Sequence, residues 1–181
     1  RDSHWGYQEF RLNGNGQISG EKRVRGERRQ VRMFGYDSEL NLAEVQSKVA
    51  DKALLTTPPP LHKEHTQYDV AGRVIRRGDT FCRYDECGRL IVKRRERDGF
   101  RPEETHYSWD AHDRLIRIQR PDGARWRYRY DAFGRRVSKT REGKVDSVRS
   151  LLQVDYRWDG DHLVSEQQWL ADGSAARAVQ W

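Results

Sequence analysis

The 181-residue chain is 35% hydrophobic and 35% charged, so it has little with which to fill a deep interior. Six Trp and eight Tyr nonetheless exclude a solvated tail, because both residues favour strands and bring large areas to bury. No stretch approaches the ~18 apolar residues of a membrane helix, and the net charge of +7 arises from 35 basic residues mixed among 28 acidic ones, a composition that argues against a nucleic-acid-binding tail.

In chain order, the first recurring element is Leu12-Asn13-Gly14-Asn15-Gly16-Gln17-Ile18, followed by the densest basic run, Glu21–Arg29, which acids and Gly26 interrupt. Val31 and Met33 then alternate with Arg32 and Phe34, and a second copy of the element follows at Tyr36-Asp37-Ser38-Glu39-Leu40-Asn41-Leu42. Leu42, Val45, Val49 and Ala53 recur at helical spacing, which predicts a short amphipathic helix over 42–54. Thr56-Thr57-Pro58-Pro59-Pro60 ends it as a stiff connector, a reading favoured over a proline-rich peptide ligand. Beyond it come four clear copies: Tyr68-Asp69-Val70-Ala71-Gly72-Arg73-Val74, Tyr84-Asp85-Glu86-Cys87-Gly88-Arg89-Leu90, Trp109-Asp110-Ala111-His112-Asp113-Arg114-Leu115 and Tyr130-Asp131-Ala132-Phe133-Gly134-Arg135-Arg136-Val137. A shortened copy, Trp158-Asp159-Gly160-Asp161-His162-Leu163, is the last. Starts at residues 12, 36, 68, 84, 109, 130 and 158 are too irregular for a solenoid of equal coils and suit hairpins with unequal arms.

Each copy has the chemistry of a hairpin tip. An aromatic closes one strand, and Asp follows where its carboxylate can accept the next backbone N–H groups. Gly72, Gly88 and Gly134 stand where a type I turn with a bulge needs positive φ, and Asp113 replaces glycine in one copy. Arg73, Arg89, Arg114 and Arg135 then lead into the return strand. Strands are expected near 74–78, 80–85, 89–97, 103–109, 114–120, 124–130, 135–141 and 153–158. Asp98-Gly99 and Asp122-Gly123 should turn the chain at the opposite hairpin ends. In Arg125–Tyr130 the aromatics share one face and the arginines the other. The chain therefore divides into degraded hairpins over 1–40, a helix and connector over 41–62, and a β-sheet segment over 63–181, all-β in class.

These copies resemble the YD repeats of Rhs (rearrangement hotspot) proteins, a family shared with insecticidal toxin-complex C subunits and teneurins. Trp5–Phe10 and Trp158–Glu166 are also similar to the downstream part of bacterial Rhs cores. The resemblance implies a spiralling sheet wound into a hollow shell around a C-terminal toxic polypeptide. Its partners would be the neighbouring repeat strands of the same protein, a C-terminal plug, the enclosed toxin and components of a secretion apparatus. It further implies synthesis in the cytoplasm and secretion from a bacterium, often by the type VI route, in interbacterial competition. No export signal is visible in these residues, and Arg1 in place of an initiator Met reads as a fragment or processed product.

The resemblance carries no catalytic residue onto this chain, and no cofactor. The autoprotease and toxin of the family would lie beyond Trp181. Nothing in the spacing supplies further metal ligands to His62 and His65, nor is there a nucleophile elbow, zinc-protease or phosphate-loop signature. Asp69, Asp85, Asp110 and Asp131 share one position in successive turns, so capping is favoured over acid–base pairing. The expected site is thus a structural turn motif: Tyr36, Asp37, Tyr68, Asp69, Gly72, Arg73, Tyr84, Asp85, Gly88, Arg89, Trp109, Asp110, Asp113, Arg114, Tyr130, Asp131, Gly134, Arg135, Trp158 and Asp159. The alternative is a carbohydrate- or nucleic-acid-binding β module using Trp/Tyr and Arg faces. Cys82 and Cys87 read as free thiols, though a bridge across the hairpin is geometrically open.

Overall fold

The computed structural model describes residues 6–51, 61–143, 145 and 147–181. It divides into two units, residues 1–80 and 81–181. The first holds β1 (Tyr7–Leu12), β2 (Ile18–Arg25), β3 (Arg28–Tyr36), β4 (Leu42–Asp51), β5 (His62–Tyr68) and β6 (Val74–Arg77). The second holds β7 (Thr80–Tyr84), β8 (Leu90–Arg95), β9 (Glu103–Trp109), β10 (Leu115–Gln119) and β11 (Arg125–Tyr130). It continues with β12 (Arg136–Glu142), β13 (Leu151–Asp159), β14 (His162–Leu170) and β15 (Ala175–Gln180). Within each unit the strands lie side by side in chain order and antiparallel, as successive hairpins. No helix occurs among the described residues.

The helix expected over 42–54 is therefore corrected: Leu42–Asp51 is strand β4. It pairs along its length with β3, from Arg28↔Asp51 to Tyr36↔Leu42, and on its other side with β5, from Glu44↔His65 to Ser47↔His62. The helical spacing of Leu42, Val45 and Val49 hid a second period. Ala43, Val45 and Val49 fall on one strand face, and Glu44, Gln46 and Lys48 on the other. Strand β3 pairs this segment along its length and β5 pairs it over Glu44–Ser47, which outweighs a weak local preference. Ala53 and the Thr56–Pro60 connector lie outside the described residues. His62 and His65 stand on β5. An odd separation sends their side chains to opposite faces of the strand, so they cannot share one ion.

Burial is shallow. Among the described residues no side chain is completely enclosed, and the most buried apolar ones are Val92, Ala124, Trp126, Tyr128 and Val154. Trp126 and Tyr128 alternate with exposed arginines along β11, as the alternation in the sequence predicts. Their face is continued in register by Ile118 and Tyr107 on one side and by Lys139 and Val154 on the other. Cations cover the rings: Lys139 Nζ lies 4.2 Å from the Trp126 ring centre and the Arg136 guanidinium 4.8 Å from that of Tyr128. Burial raises the Tyr128 and Tyr156 hydroxyl pKa values and lowers that of Lys139. In the first unit the buried polar centre is Glu21, which Arg23 approaches at 3.1 Å and Arg32 at 3.5 Å.

Candidate functional site: the Tyr-Asp hairpin tips

Every second hairpin within a unit turns at a copy of the repeated motif, so the tips of one unit share an edge of its sheet. In the second unit these are the β7–β8, β9–β10, β11–β12 and β13–β14 tips. The loop geometry recurs. At the β11–β12 tip, Asp131 N–H donates to Arg135 O at 3.0 Å and Gly134 N–H to Asp131 O at 3.1 Å. The same two bonds close the tips at Asp69, Asp85 and Asp110. The fourth residue of the turn takes positive φ, as with Gly88 at 81° and Gly134 at 78°. Asp113 adopts 58° and Leu40 67° at the equivalent position, where a side chain normally clashes.

The Asp carboxylate organises this loop. Asp131 accepts Phe133 N–H at 2.9 Å, Arg135 N–H at 2.9 Å and the Arg135 guanidinium Nε–H at 2.7 Å. Asp69 and Asp110 repeat the three contacts with Ala71 and Arg73, and with His112 and Arg114. Asp85 binds the backbone and guanidinium of Arg89 at 2.9 and 2.8 Å. In the degraded copies Asn13 and Asp37 still accept two backbone N–H groups each. These bonds favour the anion. The Arg73 and Arg89 backbone N–H groups are the largest influence lowering the pKa values of Asp69 and Asp85. At Asp110 and Asp131 desolvation opposes ionisation, but the hydrogen bonds from Arg114 and Arg135 outweigh it, and Asp110 falls to about 2.

Trp158-Asp159 builds a different tip. Asp159 pairs with His162 at the end of the strand ladder, leaving Gly160 and Asp161 as the loop, with Gly160 at φ 53°. Among the described residues the Asp159 carboxylate accepts no turn N–H.

The aromatic residue of each motif has a task the sequence reading missed. In five copies its polar atom donates to a backbone carbonyl at the start of the preceding motif's return strand. Tyr36 Oη–H reaches Ile18 O at 2.7 Å and Tyr68 Oη–H reaches Leu42 O at 2.9 Å. Trp109 Nε1–H donates to Leu90 O, Tyr130 Oη–H to Leu115 O and Trp158 Nε1–H to Arg136 O, each at 2.8 Å. The arginine reaches the other way. Arg89 Nη1 donates to Asp110 O at 3.0 Å and to Asp113 Oδ1 at 2.9 Å in the following tip. Arg135 donates to Gly160 O, and the Arg114 guanidinium stands 5.4 Å from the Tyr130 ring centre. Adjacent tips are thus clasped in both directions. The signal was present in the sequence: the aromatic is Tyr or Trp and never Phe, as a required donor demands.

No group of His, Cys, Asp and Glu suited to a metal ion occurs among the described residues. Cys82 and Cys87 are free thiols, one half-buried and one exposed.

The family model for the RHS Repeat matches residues 104–145, which span β9 to β12 and two full tips. Probable deoxyribonuclease RhsA of Dickeya dadantii (strain 3937) is 31% identical over 91% of this chain and 12% of its own length. Toxin protein Tse5 of Pseudomonas aeruginosa is 36% identical over 54% of this chain and 7% of its own. The chain thus spans about a tenth of the length of the curated relatives it matches. A crystal structure of TcdB2-TccC3 superposes with a TM-score of 0.66 at 15% identity, covering 96% of this chain and 10% of that one. The Tc holotoxin pore of Photorhabdus luminescens gives 0.65 at 15% identity, with 96% and 9% covered. At that identity the likeness shows a shared fold. With the motif, its clasped hairpins and the sequence relatives in agreement, the chain belongs to the Rhs, or YD-repeat, family.

Proposed function

We propose that this chain is wall material of a hollow β-shell that encloses a toxic polypeptide belonging to the same protein until delivery into a target cell. The observation that carries this reading is the two-way clasp between adjacent tips. Tyr and Trp polar atoms that a ligand-binding tip would hold out to solvent are spent on the neighbouring hairpin. The Tyr-Asp motif residues then act as structural clasps and not as ligand or catalytic groups. A sheet one layer thick, extended hairpin by hairpin, gains little depth as it grows but much area, which is the economy of a wall.

Catalysis belongs, on this reading, to other parts of the polypeptide, and the names of the relatives RhsA and Tse5 supply the kind of cargo. The partners are then the adjacent repeat strands, a plug and the enclosed toxin of the same protein, together with secretion components. The whole would be made in a bacterial cytoplasm and exported by type VI secretion. Limited proteolysis of the intact polypeptide tests the enclosure. The toxin segment should resist protease while the wall is sound and become cleavable when Gly88→Val and Gly134→Val break two tips. Equal cleavage with and without the two substitutions would sink the reading.

A further inference from the structure

Among the described residues, three arginines on one face of β11 have no carboxylate at ion-pair distance. Arg125, Arg127 and Arg129 alternate with the buried Trp126 and Tyr128, so the strand directs all three to the opposite face at a repeat of about 6.6 Å. Their neighbours in register are Gln119 and Glu142 for Arg125, Arg117 and Thr140 for Arg127, and Ser138 for Arg129. The acids of this face are engaged elsewhere. Glu142 pairs with Arg117 at 3.1 Å. Asp155 accepts Gln153 Nε2–H at 2.7 Å and Trp169 Nε1–H at 2.8 Å. Glu104 contacts His106 at 3.1 Å and Arg94 at 3.6 Å. Trp126 and Tyr128 anchor the strand from behind, so the three guanidiniums cannot turn away. Arg117, directly opposite Arg127, takes up the Glu142 carboxylate and leaves Arg127 beside a like charge.

We infer that this face is a docking surface for an extended acidic polypeptide segment bearing Asp or Glu at every second residue. A strand laid on a sheet stays within about 30° of the strands beneath it. Its alternate side chains then repeat at the same ~6.6 Å, and three carboxylates meet three guanidinium forks. A nucleic acid strand fits less well. Glu104, Glu142 and Asp155 interrupt any continuous path for phosphates, and the aromatics of β11 that could stack on bases are buried on the other face. The inference does not rest on the enclosing role.

The test measures binding to the full 181-residue chain by fluorescence anisotropy at low salt. The probes are a short peptide alternating Thr and Glu, an isomer with the same glutamates in one block, and a short oligothymidylate. The alternating peptide should bind severalfold more tightly than the block isomer. Replacing Arg125, Arg127 and Arg129 together by Gln should weaken it about tenfold, with an unchanged far-ultraviolet dichroism spectrum. Reversing all three to Glu should transfer binding to a peptide alternating Thr and Lys, which keeps the test decisive if the Gln variant folds poorly. Equal binding of the two acidic isomers, tighter binding of oligothymidylate, or an affinity indifferent to the three arginines would each overturn the assignment.

Discussion

The left-handed residue of the Tyr-Asp turn is where one side chain decides most. Gly88 holds φ at 81°, a region that a β-branched residue enters only at a cost, so Gly88→Val should destabilise by about 2 kcal/mol. Glu86, two residues earlier and exposed, should tolerate Ala within about 0.5 kcal/mol. Urea denaturation of the two variants checks the turn assignment, and equal effects would reject it. Leu40 occupies the same turn position at φ 67° with its side chain 53% exposed, so there is strain to relieve and little burial to lose. Leu40→Gly should stabilise by about 0.5 kcal/mol, the relief of the left-handed strain less the added entropy of the unfolded glycine. This scale was largely legible in the sequence, because the Asp cap and the glycine obey local rules. What local rules could not specify was where Tyr130 Oη–H goes: its acceptor, Leu115 O, is set by the register of a neighbouring hairpin.

At the scale of the element, strands announced themselves where aromatics and arginines alternate and concealed themselves where small residues blur the period. β11 is the clear case, and its energetics follow from the pattern. Trp126 is 9% exposed and carries Lys139 over its ring, so Trp126→Ala should destabilise by about 3 kcal/mol, read from the shift in denaturation midpoint. A loss below about 1 kcal/mol would mean that the aromatic face contributes little. β4 is the opposite case. Leu42, Val45 and Val49 satisfy a helical template, and the true period shows only once Glu44, Gln46 and Lys48 are seen as one polar face. Short segments of mixed composition support both readings, and the two neighbouring strands made the choice.

At the scale of the whole molecule, stability should behave as a chain of linked neighbours. The caps respond to acid together. Asp69, Asp85, Asp110 and Asp131 all have carboxyls held below the ordinary 3.8, Asp110 at about 2. Their stabilising effect is therefore complete above about pH 4 and is lost as pH falls through the folded-state values towards 2. The melting temperature should drop across that window, more than in a variant with Asn at all four positions. Links between tips predict something a globular core would not show. Tyr130→Phe removes one donor and leaves Leu115 O without it, costing about 1 kcal/mol. Where the main contacts among the described residues run between neighbouring strands, such a loss spreads to nearest neighbours and fades. Hydrogen exchange should therefore speed up in β10, β11 and β12, while β14 and β15 keep their protection. Uniform acceleration through all the strands of the second unit would indicate a single cooperative core and would refute the nearest-neighbour account of how these repeats hold together.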